Sequence, residues 1–432
     1  MTEIVSLYIV NKNYSIYLEK SIKSALRQSY PNIDIIIIDD GSTDDSINII
    51  NKYKNLRQVR IIQNEKSIGL IKSSNLAIKA ARGKYIIRLD ADDIMDHKCV
   101  ELLYAKIKTD SKAALVYSNY YLIDEYENII SKKKEIDIKK NKFRGPVLAA
   151  CCLIRISSLF EVNLYDERYS RQDGYDLWYK IIRNFNVLYI NKYLFFYRRH
   201  KHNLTNKKWE INKTRSKIIY NFTKTKLKNK KINALILCRS KEIENIDVLK
   251  KIKNKTYLEY TIEDCLKCRI IDNTILITES NKIINFTKRK YRKKLKIFKR
   301  GYEQAQINRN PKSNILHLLK DNCDILVIVQ PIYFFERIHY LEQAIGKLIL
   351  DNLDKVVSTI SESIYTNFYM HSKNGIKLIS NNNEKKLKYE NNLIFRESGG
   401  IIIYNYKSYK NNKIKNIGNI VIEKDEIQTL LE

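Results

Sequence analysis

Apolar positions in the first half of the chain fall into short continuous runs separated by stretches with helical spacing. Residues 4–10 form one such run, 16–28 repeat apolar residues every three or four positions, and 33–38 form a second run that ends in Asp39-Asp40-Gly41-Ser42. A helix then extends through Tyr53, residues 59–63 read as a third strand, and 70–81 as a further helix. Residues 85–89 make a short buried strand that runs directly into Asp90-Ala91-Asp92-Asp93. Strand, helix, strand, helix is the order of a parallel α/β sheet. Ligands of open α/β sheets sit at the carboxyl ends of strands, and both acidic clusters fall at such ends.

A polar, lysine-rich segment interrupts the pattern at 207–231, and a second α/β alternation begins at Ile232. Strands are expected at 234–238, 274–278, 325–330 and 355–360, with helices at 258–268 and 340–350. No fixed-period repeat links the halves. The expectation is two Rossmann-like α/β domains, over 1–205 and 232–432, joined by a helical, basic linker at 206–231.

Composition narrows the class. At 432 residues the chain exceeds one ordinary domain, and 44% hydrophobic with 29% charged residues marks globular folding. The net charge of +31 raises anion-binding partners, but the lysines are spread over the whole chain instead of one face, which points to compositional bias, and no nucleic-acid partner is expected. The alternative, a non-catalytic basic binding protein, lacks the interleaved aromatic and basic motif of single-strand binders. The seven cysteines are irregularly spaced, with no secretory signal ahead of them, so reduced thiols are expected. Cys265 and Cys268 have CxxC spacing without a second pair, and a helix face explains them. No window approaches the ~20 apolar residues that span a bilayer, so the expected location is cytoplasmic, with peripheral association at the inner face of the membrane. The sequence sets no oligomeric state.

Transfer of a sugar from a nucleoside diphosphate needs a cation for the leaving diphosphate, groups for the nucleoside and a base for the acceptor hydroxyl. An isolated DxD commonly starts a turn, so its company decides. The ordered stretches SLYIVNKNYSIYLEKSIKSALRQSY, IDIIIIDDGSTDDS, NEKSIGLIKSSNLAIKAARGKYIIRLDADD and RQDGYDLWYK resemble the family 2 glycosyltransferases of the GT-A fold over about the first 205 residues. Five of the 11 glycines fall in this half, four of them inside these stretches. The resemblance implies an inverting, Mn²⁺- or Mg²⁺-dependent transfer from a nucleotide-sugar donor to a glycan or lipid-linked glycan acceptor in polysaccharide or glycolipid synthesis. Asp39 and Asp40 would meet the nucleoside, Asp92 would be the main metal ligand, and Asp90 would touch the ribose or a metal-bound water while Asp93 orients the loop. Asn13, Gly69 and Asn75 would organise the donor site. Asp173 is carried over as general base, with Asp176 as the alternative. Arg198, Arg199 and His200 resemble a terminal YRxH element near the diphosphate. The sequence departs from the family at Ser74, where an arginine is usual, and in Val10-Asn11-Lys12, where proline and tyrosine are usual.

From Ile232 onward the chain resembles the cytidylyltransferases that make CMP-activated acidic sugars. ALILCRSKEIENIDVLKKIKNKTYLEYTIEDCLK, IDNTILITES, DILVIVQPIYFFERIHYLEQAI, KVVSTIS and ESGGIIIYNYKSY carry that resemblance. The loop at Arg239 to Asn245, where such enzymes cradle a triphosphate with glycines, has none, and Glu242 and Glu244 add negative charge. The metal motif is blurred into Ile422-Glu423-Lys424-Asp425-Glu426. The expectation is a degenerate domain; the alternative is a bifunctional protein whose second half still activates a CMP-sugar.

Overall fold

The computed structural model of the protein describes residues 2–135, 137, 150–201, 203, 207–244, 246–291, 294–306, 310–320, 322–331, 333–334, 338–362, 369–372, 375–378, 394–422 and 428–429. The chain divides into two compact units, Met1–Thr214 and the residues from Arg215 onward, with the long helix Lys208–Leu227 spanning the boundary.

In the first unit, β1 (Val5–Asn11), β2 (Ile33–Asp39), β3 (Val59–Gln63) and β4 (Tyr85–Asp90) alternate with α1 (Ser15–Leu26), α2 (Ser46–Asn51) and α3 (Leu70–Ala80). After them come β5 (Ile94–Met95), α4 (Cys99–Ile107), β6 (Ala113–Ile123), β7 (Ile129–Lys133), β8 (Leu153–Arg155), α5 (Ile156–Glu161), α6 (Asp173–Asn184) and β9 (Asn186–Arg198). The sheet runs β3-β2-β1-β4-β8-β6-β9-β5, with β7 paired to β6. β3, β2, β1 and β4 are parallel, as the apolar pattern predicts. The whole sheet, however, is mixed, because β8 inserts antiparallel between β4 and β6 and β5 closes antiparallel on β9. No alternation in the sequence marks that insertion, since β8 contributes only three residues.

Side chains alternate across the parallel strands. Leu7, Ile9, Ile35, Ile37, Ile87 and Leu89 bury one face, against Leu18 and Ile22 of α1 and Val100 and Leu103 of α4. α3 packs on β1 and β2 through buried Ala77 and Ile78. Because both faces are covered, the strands read as unbroken apolar runs. All four parallel strands therefore deliver their carboxyl ends, including both acidic clusters, to one edge.

The second unit is also α/β. Its seven-stranded sheet runs Lys296–Lys299, Asn273–Thr278, Ile232–Leu237, Ile325–Val329, Ile394–Asn405, Lys355–Glu362, Ile417–Val421, and the first four of these strands are parallel. The helix Tyr257–Lys267 starts with a reciprocal capping box between Thr256 and Glu259. Cys265 lies on it and Cys268 caps its end; both are buried thiols, and burial pushes Cys268 up to about 12. All seven cysteines are buried and free. Glu423, Lys424, Asp425 and Glu426 of the blurred acidic motif lie outside the described residues. Among the described residues no helix is long and apolar enough to cross a membrane.

Candidate active site

Asp39 and Asp40 end β2, and the two carboxylates do different work. Asp39 is buried and accepts hydrogen bonds from Asn11 Nδ2 (3.0 Å) and the Ser42 amide (3.0 Å), which fixes the turn through Gly41. Gly41 has φ +68°, and a Cβ there would lie 2.8 Å from the Ser67 amide nitrogen, so conformation and space both demand glycine.

Asp40 is 2% exposed and accepts five hydrogen bonds. Asn64 Nδ2 (2.8 Å), Ser67 Oγ (2.7 Å) and Ser73 Oγ (3.0 Å) donate to it, as do the amides of Ile68 and Gly69 (both 2.9 Å). Burial pushes its pKa up, but these donors outweigh burial and hold the carboxyl below its ordinary range. The charge thus ties the end of β2 to the 64–69 loop and the start of α3. Gly69, at φ +94°, precedes that helix, and nothing lies within 4 Å of an added Cβ, so its requirement is conformational.

Asp40→Ala would orphan five donors around a buried cavity. We expect a loss of at least about 3 kcal/mol in denaturant unfolding, since each stranded buried donor costs ~1–3 kcal/mol. A carboxyl whose pKa is depressed by folding contributes stability above its unfolded pKa and loses it as pH falls through the folded value. Asp40→Asn should therefore lack the part of the wild-type decline in melting temperature that sets in below about pH 4; identical acid limbs would refute this.

Asn13 adopts a left-handed φ of 59°, donates its amide to Ser42 Oγ (3.0 Å) and accepts the Thr43 amide through Oδ1 (2.7 Å). It fastens the β1–α1 loop to the β2–α2 loop. Asn11, which the sequence marked only as a departure, makes the buried half of the same link to Asp39 and to Ser42 Oγ (3.1 Å).

The second acidic cluster follows β4. Asp90 shares a face with Arg88, whose Nε donates to Oδ1 at 2.6 Å. Asp92 is 9% exposed, its Oδ2 lies 2.8 Å from His200 Nε2, and Asn203 Nδ2 donates to it at 3.4 Å. The His200 ring is lodged beside Tyr17 and Tyr14, with centroids 5.1 and 5.6 Å away. Asp93 is fully buried and accepts the Arg198 amide (2.9 Å). Burial, then the neighbouring Asp92 and Asp90, push its pKa well above the usual range.

Arg198 is 1% exposed. Its Nε donates to the Asp92 carbonyl (2.8 Å) and its terminal nitrogens reach the carbonyls of Asp124 and Glu125 and the Glu127 carboxylate (3.1 Å). Its guanidinium clamps the β6–β7 turn to the DxD backbone, beside the acidic cluster. His200 is the member of YRRH that reaches the acidic cluster. Arg199 is exposed.

Asn75, 4% exposed, donates to the Tyr165 carbonyl and Glu167 Oε1 (both 3.0 Å) and accepts the Tyr165 amide (3.1 Å). It steers the segment that leads into α6. Asp173 is the first residue of that helix, after Gln172 at a left-handed φ of 58°. Asp176, one turn inside, is 3% exposed and paired with Lys180 at 2.7 Å. Burial pushes its pKa up against the pull of that lysine.

Among the described residues no group of three or more His, Cys, Asp and Glu side chains forms a cation cage. A hard divalent ion shared with a diphosphate needs only one or two carboxylates. The Asp92 carboxylate with the His200 imidazole beside it is an oxygen and nitrogen donor set of the kind Mn²⁺ accepts, so the residues fit such an ion.

Comparison with known proteins places this chain in a family. The family model described as glycosyl transferase family 2 matches residues 6–168. The chondroitin synthase of Escherichia coli is 33% identical over 215 residues, which cover 49% of this chain and 31% of the synthase. The chain thus spans about a third of that relative. The glucosyltransferase WfaP of Escherichia coli is 34% identical over 185 residues, 42% of this chain and 70% of that protein. The crystal structure of Staphylococcus aureus TarS 1–349 with UDP-GlcNAc is 16% identical and superposes over 51% of this chain and 66% of the TarS chain, with a TM-score of 0.43. The family match over residues 6–168 and the 70% of WfaP covered at 34% identity identify the chain as a member of glycosyl transferase family 2.

Proposed function

We propose that the first unit is an inverting, divalent-cation-dependent glycosyltransferase that moves a sugar from a nucleoside-diphosphate donor to a polysaccharide or glycolipid acceptor. The observation that carries this reading is the pairing of Asp92 with His200, at the same sheet edge as the loop that Asp40 organises. The backbone of residues 64–69, shaped by Asp40, would form the nucleoside wall together with Asn13 and Asp39, while Gly69 and Asn75 set the segments on either side. Asp92 would hold Mn²⁺ or Mg²⁺ with His200, and Asp90 would meet the ribose or a metal-bound water. When bound, the ion neutralises the leaving diphosphate. Asp173 would take the proton of the acceptor hydroxyl as its oxygen attacks the anomeric carbon; one displacement with no enzyme nucleophile inverts that centre.

WfaP is named for a UDP-Glc donor and a GlcNAc-diphosphoundecaprenol acceptor, which supports testing a lipid-diphosphate-linked sugar as acceptor. A panel of UDP, GDP, CDP and CMP with and without Mn²⁺ in thermal unfolding should single out one diphosphate whose stabilisation needs the ion. Equal, ion-independent shifts for all four would dismiss the reading.

The second unit we propose as a cytidylyltransferase-like domain without catalysis. No glycine occurs between Lys231 and Tyr257, and the loop after strand Ile232–Leu237 is tied inward, with Arg239 Nε donating to the Ala305 carbonyl (2.8 Å) and the Ser240 amide to Glu279 (2.7 Å). Pyrophosphate release from CTP and a nonulosonic acid should stay at blank; release above it would make the protein bifunctional.

A further inference from the structure

Strand β4 carries an arginine where its neighbours are apolar. Tyr85, Ile86, Ile87 and Leu89 are all buried, and Arg88 beside them is only 8% exposed, facing Tyr8 of β1 in register. Burying a guanidinium in the middle of a sheet costs several kcal/mol unless a partner compensates it. The partner is Asp90, two residues on and therefore on the same face, with Nε to Oδ1 at 2.6 Å. The carboxyls of Asp90, Asp92 and Asp93 thus have separate partners. Asp93 is turned onto the Arg198 amide, Asp92 onto His200, and Asp90 onto Arg88.

We propose that Arg88 is a positioning residue that sets the charge of the cation site by pairing with Asp90, leaving Asp92, with His200 beside it, as the carboxylate presented to the cation. The inference rests on the cation reading of Asp92 given above. A weaker charge at the site favours an ion that arrives with the donor diphosphate over one held tightly by protein alone, because each uncompensated carboxylate adds Coulombic attraction for a doubly charged ion.

The test is Mn²⁺ binding to the full chain without nucleotide, read from the free-ion EPR signal, with melting temperature recorded for each variant. Arg88→Gln removes the counter-charge and should tighten Mn²⁺ about tenfold, whereas Asp90→Asn leaves the guanidinium unopposed and should weaken it about tenfold. The double variant should return close to wild type, and Arg88→Lys, which keeps the charge, should stay within about twofold. A merely structural Arg88 would move melting temperature without these opposite signs. Weaker or unchanged binding in Arg88→Gln overturns the proposal, as does unchanged binding in Asp90→Asn, which also serves if Arg88→Gln fails to fold. Asp92→Ala separates the two claims. If it abolishes binding and the Arg88 and Asp90 variants show no opposed shifts, only the role of Arg88 falls; if binding survives it, the cation reading falls and takes this inference with it.

Discussion

Asp92→Ala is expected to lower sugar transfer by roughly 10²- to 10³-fold, the range seen when one preorganised electrostatic contact to a developing charge is removed. The leaving diphosphate gathers negative charge as the anomeric bond breaks, and in the proposed function Asp92 would hold the ion that meets it. The substitution also removes the carboxylate that faces His200 Nε2 at 2.8 Å, while Asn203 Nδ2 keeps the Arg198 carbonyl at 3.1 Å, so a stability loss of about 0.5–1.5 kcal/mol should accompany it. Asp92→Asn separates the two effects, because its amide oxygen can still face His200 while the ionic charge is gone. The measurement is the rate with saturating donor across a Mn²⁺ titration, alongside a denaturant melt. Transfer at the wild-type rate in a folded Asp92→Asn would show that Asp92 holds no essential ion.

The second large effect is expected at α6. Asp173 opens the helix and Asp176 sits one turn inside it. Asp176 is 3% exposed and committed to Lys180, which is geometry for holding a helix, while a general base must come within hydrogen-bond reach of the acceptor hydroxyl. Asp173→Asn should therefore cost ~10²- to 10⁴-fold in single-turnover transfer with little change in donor binding. Asp176→Asn should remain within about tenfold of wild type in rate and instead lose about 0.5–1.5 kcal/mol of stability by removing the counter-charge of Lys180, whose Nζ keeps the Leu164 carbonyl at 3.0 Å. The reverse pattern would exchange the two roles.

The acid-rich ends of β2 and β4 were legible because a strand buried on both faces is a continuous apolar run, and its polar terminus is then conspicuous. The same logic located α1, α3 and the first strands of the second unit to within a residue or two. What it missed was pairing over long separations. Nothing around Asn64, Ser67 or Ser73 announces that all three would converge on Asp40, and short polar residues in a loop read as turn formers. Arg88 did carry a local signal, a lone charge two residues before an aspartate within an apolar run. Arg198 and His200 were noticed as a motif, but the sequence could not say which would face the acidic cluster. Their assignment follows from β9 running parallel to β6, which sends Arg198 under the β6–β7 turn.

By itself the sequence determined the α/β alternation of both halves, the position of the acidic clusters at strand ends and the membership of the first half in a glycosyltransferase family. These are properties of local periodicity and motif order, which one chain carries in full. Only the tertiary structure decided that the sheet is mixed, that Asp40 is an internal anchor, that His200 meets Asp92 across 108 positions and that Arg88 claims Asp90. Those outcomes depend on which strands become neighbours and which charges are thereby buried, because a desolvated carboxylate takes whatever donor the fold brings within 3 Å.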